Sequence, residues 1–214
     1  MDTPCVRVRT VLAALTVVVM VEIVMGGIVR NTGLPGIAVM AAGRCGQVLL
    51  ILAGVRLFEH TLTAVGLSRS SLGRGVMAGI AWAVGFGGLI SIAGVALLVM
   101  GINPLGIFAI HPVGHPMEVG LYYLTGVVIA PIAEEVLFRG VIYGFFRQFG
   151  IVTAIVLTTV IFAALHLTTT TVPVIQAVGG VLFCIAYEKE KNLMAPIVIH
   201  MMGNGAILAA GLVP

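Results

Sequence analysis

Seven apolar stretches, at about 10–29, 36–57, 75–100, 117–147, 151–167, 172–188 and 194–213, approach or exceed the roughly 20 residues that a helix needs to cross a bilayer. That pattern excludes most soluble folds. Of the 214 residues, 60% are hydrophobic and only 9% are charged, whereas a soluble domain carries charge on about a quarter or more of its surface. The expected fold is an all-α, polytopic membrane helical bundle of about seven transmembrane helices, seven or eight by count. Without a long linker, low-complexity tract or repeat, 1–214 reads as a single integral membrane domain.

The charges that remain are more useful for topology than for partners. A net charge of +3 comes from basic residues scattered through short loops, so no nucleic-acid surface is expected. With the N-terminus cytoplasmic, Arg7, Arg9, Arg56, Arg69, Arg74, Arg147, Lys189 and Lys191 all fall on the cytoplasmic side and Arg30 falls outside, as positive loops prefer. The expected setting is a bacterial or archaeal cell membrane. The first apolar stretch follows Arg7 and Arg9 as a signal peptide would, but it is too long, contains Glu22 and shows no small-x-small cleavage site. Cys5, Cys45 and Cys184 are odd in number and widely spaced, and read as free thiols.

The fourth stretch is anomalous. Its 31 residues would make a helix of roughly 46 Å, longer than the membrane is thick. Pro131 removes a backbone donor and crowds the preceding turn, so a kink or break is expected there.

Immediately after Pro131, Glu134, Glu135 and Arg139 stand among apolar residues. Each charge would cost roughly 2.5–3.5 kcal/mol at a helix centre on insertion scales. Glu135 and Arg139 are spaced i, i+4 in the favourable order for an ion pair, and Glu134 is turned about 100° from them. Glu135 is therefore expected to be ionised and structural, and Glu134 to be freer to act as a general base. His166 lies near the end of the fifth stretch. His200 and Asn204, at i and i+4, share a face of the seventh. Gathered together, these polar groups would make a site.

Other polar positions have plainer readings. Glu22 and Arg44 can pair as a structural clamp between the first two helices, a reading preferred to a substrate-channel role. His111 and His115 read as incidental histidines of a Pro-containing exterior loop, and Glu188-Lys189-Glu190-Lys191 as a solvated turn. Gly75, Gly79, Gly85, Gly87 and Gly88 would permit close helix packing.

The motifs Glu134-Glu135-Val-Leu-Phe-Arg139, Phe162-Ala-Ala-Leu-His166 and His200-Met-Met-Gly-Asn204 resemble those of the CAAX protease and bacteriocin-processing family, also called type II CAAX prenyl endopeptidase-like or abortive-infection proteins. The flanks Ala-Pro-Ile-Ala before the glutamates and Ala195-Pro196-Ile197 before His200 are similar too. The resemblance covers 118–205, which would carry the catalytic motifs, and residues 1–117 match only as generic membrane helices. It implies an intramembrane endopeptidase acting on a membrane-associated protein or peptide; the alternatives are a non-catalytic membrane immunity or scaffold protein of the same fold and a transporter with a buried polar pathway. It does not identify the substrate, and oligomeric state is left open.

No Ser, Cys or Asp stands in these motifs as a nucleophile, so the direct chemistry is attack by water. Glu134 and His166 would activate it, His200 and Asn204 would donate to the oxyanion, and Glu135 with Arg139 would support them. The alternative uses Glu134, His166 and His200 as a zinc set; the metal-free reading is preferred because there is no His-Glu-x-x-His helix. One expectation is awkward. His166 is the sixteenth residue of its stretch and His200 the seventh of its own, a depth mismatch of roughly 13 Å for parallel helices. Tilt, a helix five that starts outside the bilayer, or a dipping loop around 188–193 must absorb it.

Overall fold

Lipid-facing helices must satisfy their backbone internally, and the computed structural model describes residues 5–103, 115–167 and 173–210, in which every regular element is helical. We number the rods α1 (Val8–Asn31), α2 (Gly36–Phe58), α3 (Leu72–Val99), α4 (Pro116–Phe149), α5 (Ile151–Ala164), α6 (Val174–Glu190) and α7 (Met194–Ala210). They fall on the seven predicted stretches. α1 to α4 are long and apolar enough to cross a membrane, whereas α5, α6 and α7 have 14, 17 and 17 residues. Large apolar side chains such as Ile23, Leu89, Ile92 and Val99 point outward, as an all-α membrane bundle requires.

α1 packs along α2, α3 along α7, and α5 along α6, with α4 threaded between them. The α3–α7 contact depends on two glycines. A Cβ on Gly79 would sit 2.7 Å from both the Ala195 carbonyl oxygen and Val198 Cβ, and one on Gly75 would collide with the Asn192 carboxamide. Gly85, Gly87 and Gly88 face open space instead, so the packing expected of all five glycines holds only for the first two.

α4 does not break at Pro131. It runs continuously, with wider π-helical turns at Thr125–Ile129 and Val136–Tyr143 on either side of the Ala130–Glu135 segment. The first turn bonds the Ala130 N–H to the Thr125 carbonyl, so the ladder adjusts just before the proline that cannot donate to it. Such π-turns rotate the following side chains relative to an unbroken α-helix and recur at functional sites.

The predicted basic loops meet at one end of the bundle. Arg7 N–H donates to Glu59 Oε1 at 2.9 Å, Arg9 Nη2 to the Phe58 carbonyl at 2.7 Å, and Val6 N–H to the Gly144 carbonyl at 3.2 Å. Glu188, with Arg147 Nη2 at 2.9 Å and Lys191 also bound, is an anchor in the last turn of α6. This corrects the reading of 188–191 as a solvated turn, because residues 188–190 extend the helix and Glu188 ties it to α4.

The same end contains the dip that reconciles the two histidine depths. Lys191 takes a left-handed φ of 50° and turns Asn192 and Leu193 inward, where they are 4% and 0% exposed. Leu193 N–H donates to the Gly66 carbonyl at 3.0 Å, Asn192 Nδ2 to the Ser71 carbonyl at 2.7 Å, and Asn192 Oδ1 accepts from Met194 N–H at 3.0 Å. Gly66 itself has φ 74°, and a Cβ there would meet the Tyr187 ring and the Leu193 nitrogen. α7 therefore starts inside the bundle, and within two turns His200 comes to pack on Phe162, the ring that also meets His166. Of the loop histidines, His111 lies outside the described residues, and His115 is the N-cap of α4, its ring accepting from Met117 N–H at 3.4 Å.

Candidate active site

α4 supplies an ion pair with both side chains fully buried: Arg139 Nη1 donates to Glu135 Oε1 at 2.9 Å. A second guanidinium nitrogen, Nη2, donates to the Gly180 carbonyl of α6 at 3.2 Å. Three rings enclose the cation, with centroids at 4.7 Å for Phe162, 5.0 Å for Phe183 and 5.9 Å for Phe138. Their π-faces attract a cation that water no longer solvates. Glu135 and Arg139 thus pair as their i, i+4 spacing predicts.

α7 adds His200, whose Nδ1 lies 2.8 Å from the same oxygen, Glu135 Oε1. The imidazole stacks on Phe183 at 4.7 Å and 23° and meets the edge of Phe162 at 6.1 Å. A carboxylate only accepts, so Nδ1 carries the proton, and the orientation of Nε2 is fixed by that bond. Nε2 lies 3.9 Å from Glu134 Oε2, too far for a hydrogen bond but near enough to feel its charge.

Glu134 takes the other direction, as the one-residue offset predicts. It lines a cavity of about 280 Å³ together with His166, Phe138 and Leu165. His166 Nδ1 lies 2.8 Å from the Phe162 carbonyl oxygen four residues earlier. Because a carbonyl cannot donate, Nδ1 bears the hydrogen, leaving Nε2 of the neutral ring as an acceptor. Its ring centroid lies 4.6 Å from that of Phe162, so a single phenylalanine packs against Arg139, His166 and His200.

Asn204 donates through Nδ2 to the Gly126 carbonyl of α4 at 2.8 Å. That carbonyl lies within the first π-turn, so the amide bonds α7 to the irregular part of α4. Neither His200 nor Asn204 lines the cavity that holds Glu134 and His166. The predicted residues therefore divide into a cavity pair, a buried triad of Glu135, Arg139 and His200, and Asn204 at the α4–α7 seam. Among the described residues no three His, Cys, Asp or Glu side chains are gathered to hold a metal ion.

The sequence reading misses several members. Phe138, Phe162 and Phe183 look like ordinary apolar residues, and only their proximity in space makes them a cation box. Glu22, Arg44 and Gln47 also line the cavity. Glu22 and Arg44 do pair, at 3.0 Å, but Gln47 between them carries no charge to draw attention. The available signal was a polar residue three positions after Arg44 in an apolar helix.

Residues 116–206 match the family described as type II CAAX prenyl endopeptidase Rce1-like. Over 88 residues the chain is 40% identical to the membrane-embedded CAAX protease MroQ of Staphylococcus aureus (strain USA300), a match covering 38% of this chain and 35% of that relative. The chain therefore spans about a third of that relative's length. No solved structure matches it.

Proposed function

We propose that this chain, whose residues 116–206 match the Rce1-like CAAX prenyl endopeptidase family, is an intramembrane endopeptidase that hydrolyses a peptide bond of a membrane-associated protein or peptide. The observation that carries the reading is the divergence of two adjacent carboxylates. Glu135 is fully buried against Arg139 and His200, while Glu134 opens into a cavity it shares with His166.

Water in that cavity gives a proton to Glu134 as its oxygen bonds to the substrate carbonyl carbon, while His166 Nε2 accepts from the water's other hydrogen. The carbonyl oxygen becomes an oxyanion. His200 faces that oxygen through Nε2, with Nδ1 resting on Glu135, and would donate to it with hydrogens on both ring nitrogens, while Asn204, bonded to the Gly126 carbonyl outside the cavity, braces α7 behind it. Glu134 then passes its proton to the leaving nitrogen as the C–N bond breaks. Loss of one oxyanion donor typically slows catalysis by about 10²–10³-fold. Arg139 holds Glu135 in place through their buried ion pair, and no step is assigned to a metal. The basic end of the bundle is placed on the cytoplasmic side, following the charge bias of membrane loops.

The test is comparative analysis of membrane-protein termini in cells carrying the wild-type chain or Glu134→Gln. The variant inserts and folds but leaves at least one substrate unprocessed; full processing by a stably inserted Glu134→Gln protein would refute the mechanism.

A further inference from the structure

The cavity holding Glu134 has a second polar wall, built by helices outside the 116–206 region. Glu22 of α1 and Arg44 and Gln47 of α2 all line it. Arg44 Nη1 lies 2.8 Å from Gln47 Oε1 and 3.0 Å from Glu22 Oε1, and Gln47 Nε2 donates to that same glutamate oxygen at 2.9 Å. Gln47 is 3% exposed and holds the other two in a closed triangle. The Arg44 and Glu22 side chains are more open, at 29% and 55%.

A guanidinium has five N–H donors in a fixed fork. Both contacts here run through one nitrogen, and Nε and Nη2 make no hydrogen bond with another described residue. A clamp serving only to join α1 and α2 would gain most by gripping Glu22 with two nitrogens. Instead the triangle pins one corner of the fork and leaves the Nε/Nη2 edge free, the side that takes a carboxylate bidentately. The cavity that Arg44 lines is also walled by Val18, Ile51 and Leu137, surroundings in which a donor gains much from an acceptor.

We propose that Arg44 binds a carboxylate of the substrate, with Gln47 and Glu22 holding the guanidinium in position. The peptide bond presented to Glu134 would then lie at a set distance from an acidic group. A single-charged carboxylate suits the cavity better than a dianionic phosphate, because Glu22 and Glu134 already contribute negative charge there. The carboxylate is either the substrate's C-terminus or an Asp or Glu side chain. The inference rests on the endopeptidase reading, and it assigns substrate selection to α1 and α2.

The experiment uses the full chain carrying Glu134→Gln in nanodiscs and a fluorescently labelled apolar peptide in three forms: a free C-terminal carboxylate, a C-terminal amide, and the amide with one internal Asp. Fluorescence anisotropy is expected to show one or both acidic forms binding about 10- to 100-fold more tightly than the plain amide. Preference for the first acidic form identifies a chain terminus, and preference for the second an acidic side chain. Arg44→Gln removes the preference, and Arg44→Lys keeps part of it while retaining the fold. Equal binding of the three peptides, no binding of any, or a preference that survives Arg44→Gln overturns the proposal, and the peptide comparison needs no Arg44 variant to do so. Cleavage by the wild-type chain is measured in parallel. Carboxylate-dependent binding without cleavage removes the endopeptidase reading and leaves Arg44 as a binding residue, whereas cleavage without carboxylate preference does the reverse.

Discussion

His200 reaches across from α7 to place Nδ1 2.8 Å from Glu135 Oε1, the oxygen that also receives Arg139 at 2.9 Å. One buried atom therefore sets the histidine's orientation and the arginine's charge balance together.

Neighbouring glutamates should consequently fail in different ways. Glu135→Gln strips the buried guanidinium of its counter-ion, and breaking such a pair costs about 3–5 kcal/mol. The expected result is a large drop in melting temperature in detergent together with lost cleavage. Glu134→Gln should lose cleavage and melt close to wild type. Similar thermal stability of the two variants would contradict the assigned division of labour.

His166→Ala should lower the cleavage rate by about 10²–10⁴-fold, the range for removal of a proton-transfer group. Among the described residues its ring bonds to the backbone of its own helix end, so thermal melting should change little. A rate within a few-fold of wild type, measured on a quenched-fluorescence substrate, would remove His166 from the chemistry.

Phe162 is 2% exposed and packs against Arg139, His166 and His200. Phe162→Ala should cost about 3–5 kcal/mol through the cavity it leaves. Phe162→Leu should recover most of the stability, but not the activity that depends on ring contacts. Melting curves and initial rates on the same preparations separate the two effects.

At the α3–α7 contact, Gly79→Val should destabilise by about 1–3 kcal/mol, because the new side chain drives into Ala195 and Val198. Gly85→Ala should be neutral or slightly stabilising, since no described residue comes within 4 Å of the added Cβ. Thermal melting in one detergent ranks the pair, and equal effects would argue against the glycine-mediated contact.

With the basic end cytoplasmic, a membrane-impermeant maleimide added to intact cells should leave Cys5 unlabelled and should reach it after permeabilisation. Labelling of Cys5 in intact cells would reverse the orientation. Replacing Cys45, which is also exposed, by Ala keeps the readout specific.

The helical rods were legible because length and hydropathy are local properties, and the Glu135–Arg139 pair because four residues make one turn. The Glu135–His200 bond was not. It joins residues 65 apart and depends on Asn192 and Leu193 turning inward, whereas their Glu-Lys flank suggests a watery loop. Five glycines looked equivalent because composition does not say which neighbour approaches, and only Gly75 and Gly79 meet one. Gln47 escaped notice for a related reason. Its importance comes from the two charges it joins, one of them on another helix, and an amide in an apolar run raises no electrostatic alarm.

The π-turns of α4 make residue number matter as much as residue kind. Whereas a π-turn could absorb the loss of one residue, deleting one from the regular α-helical segment at 130–133, which has no surplus residue to give up, would rotate the Gly126 side of α4 by about 100° relative to Glu134 and Glu135. Asn204 would then face a different carbonyl while every motif residue remained present. For this segment, insertions and deletions are the severe genetic lesions, and a survey of tolerated substitutions alone would underestimate how tightly it is constrained.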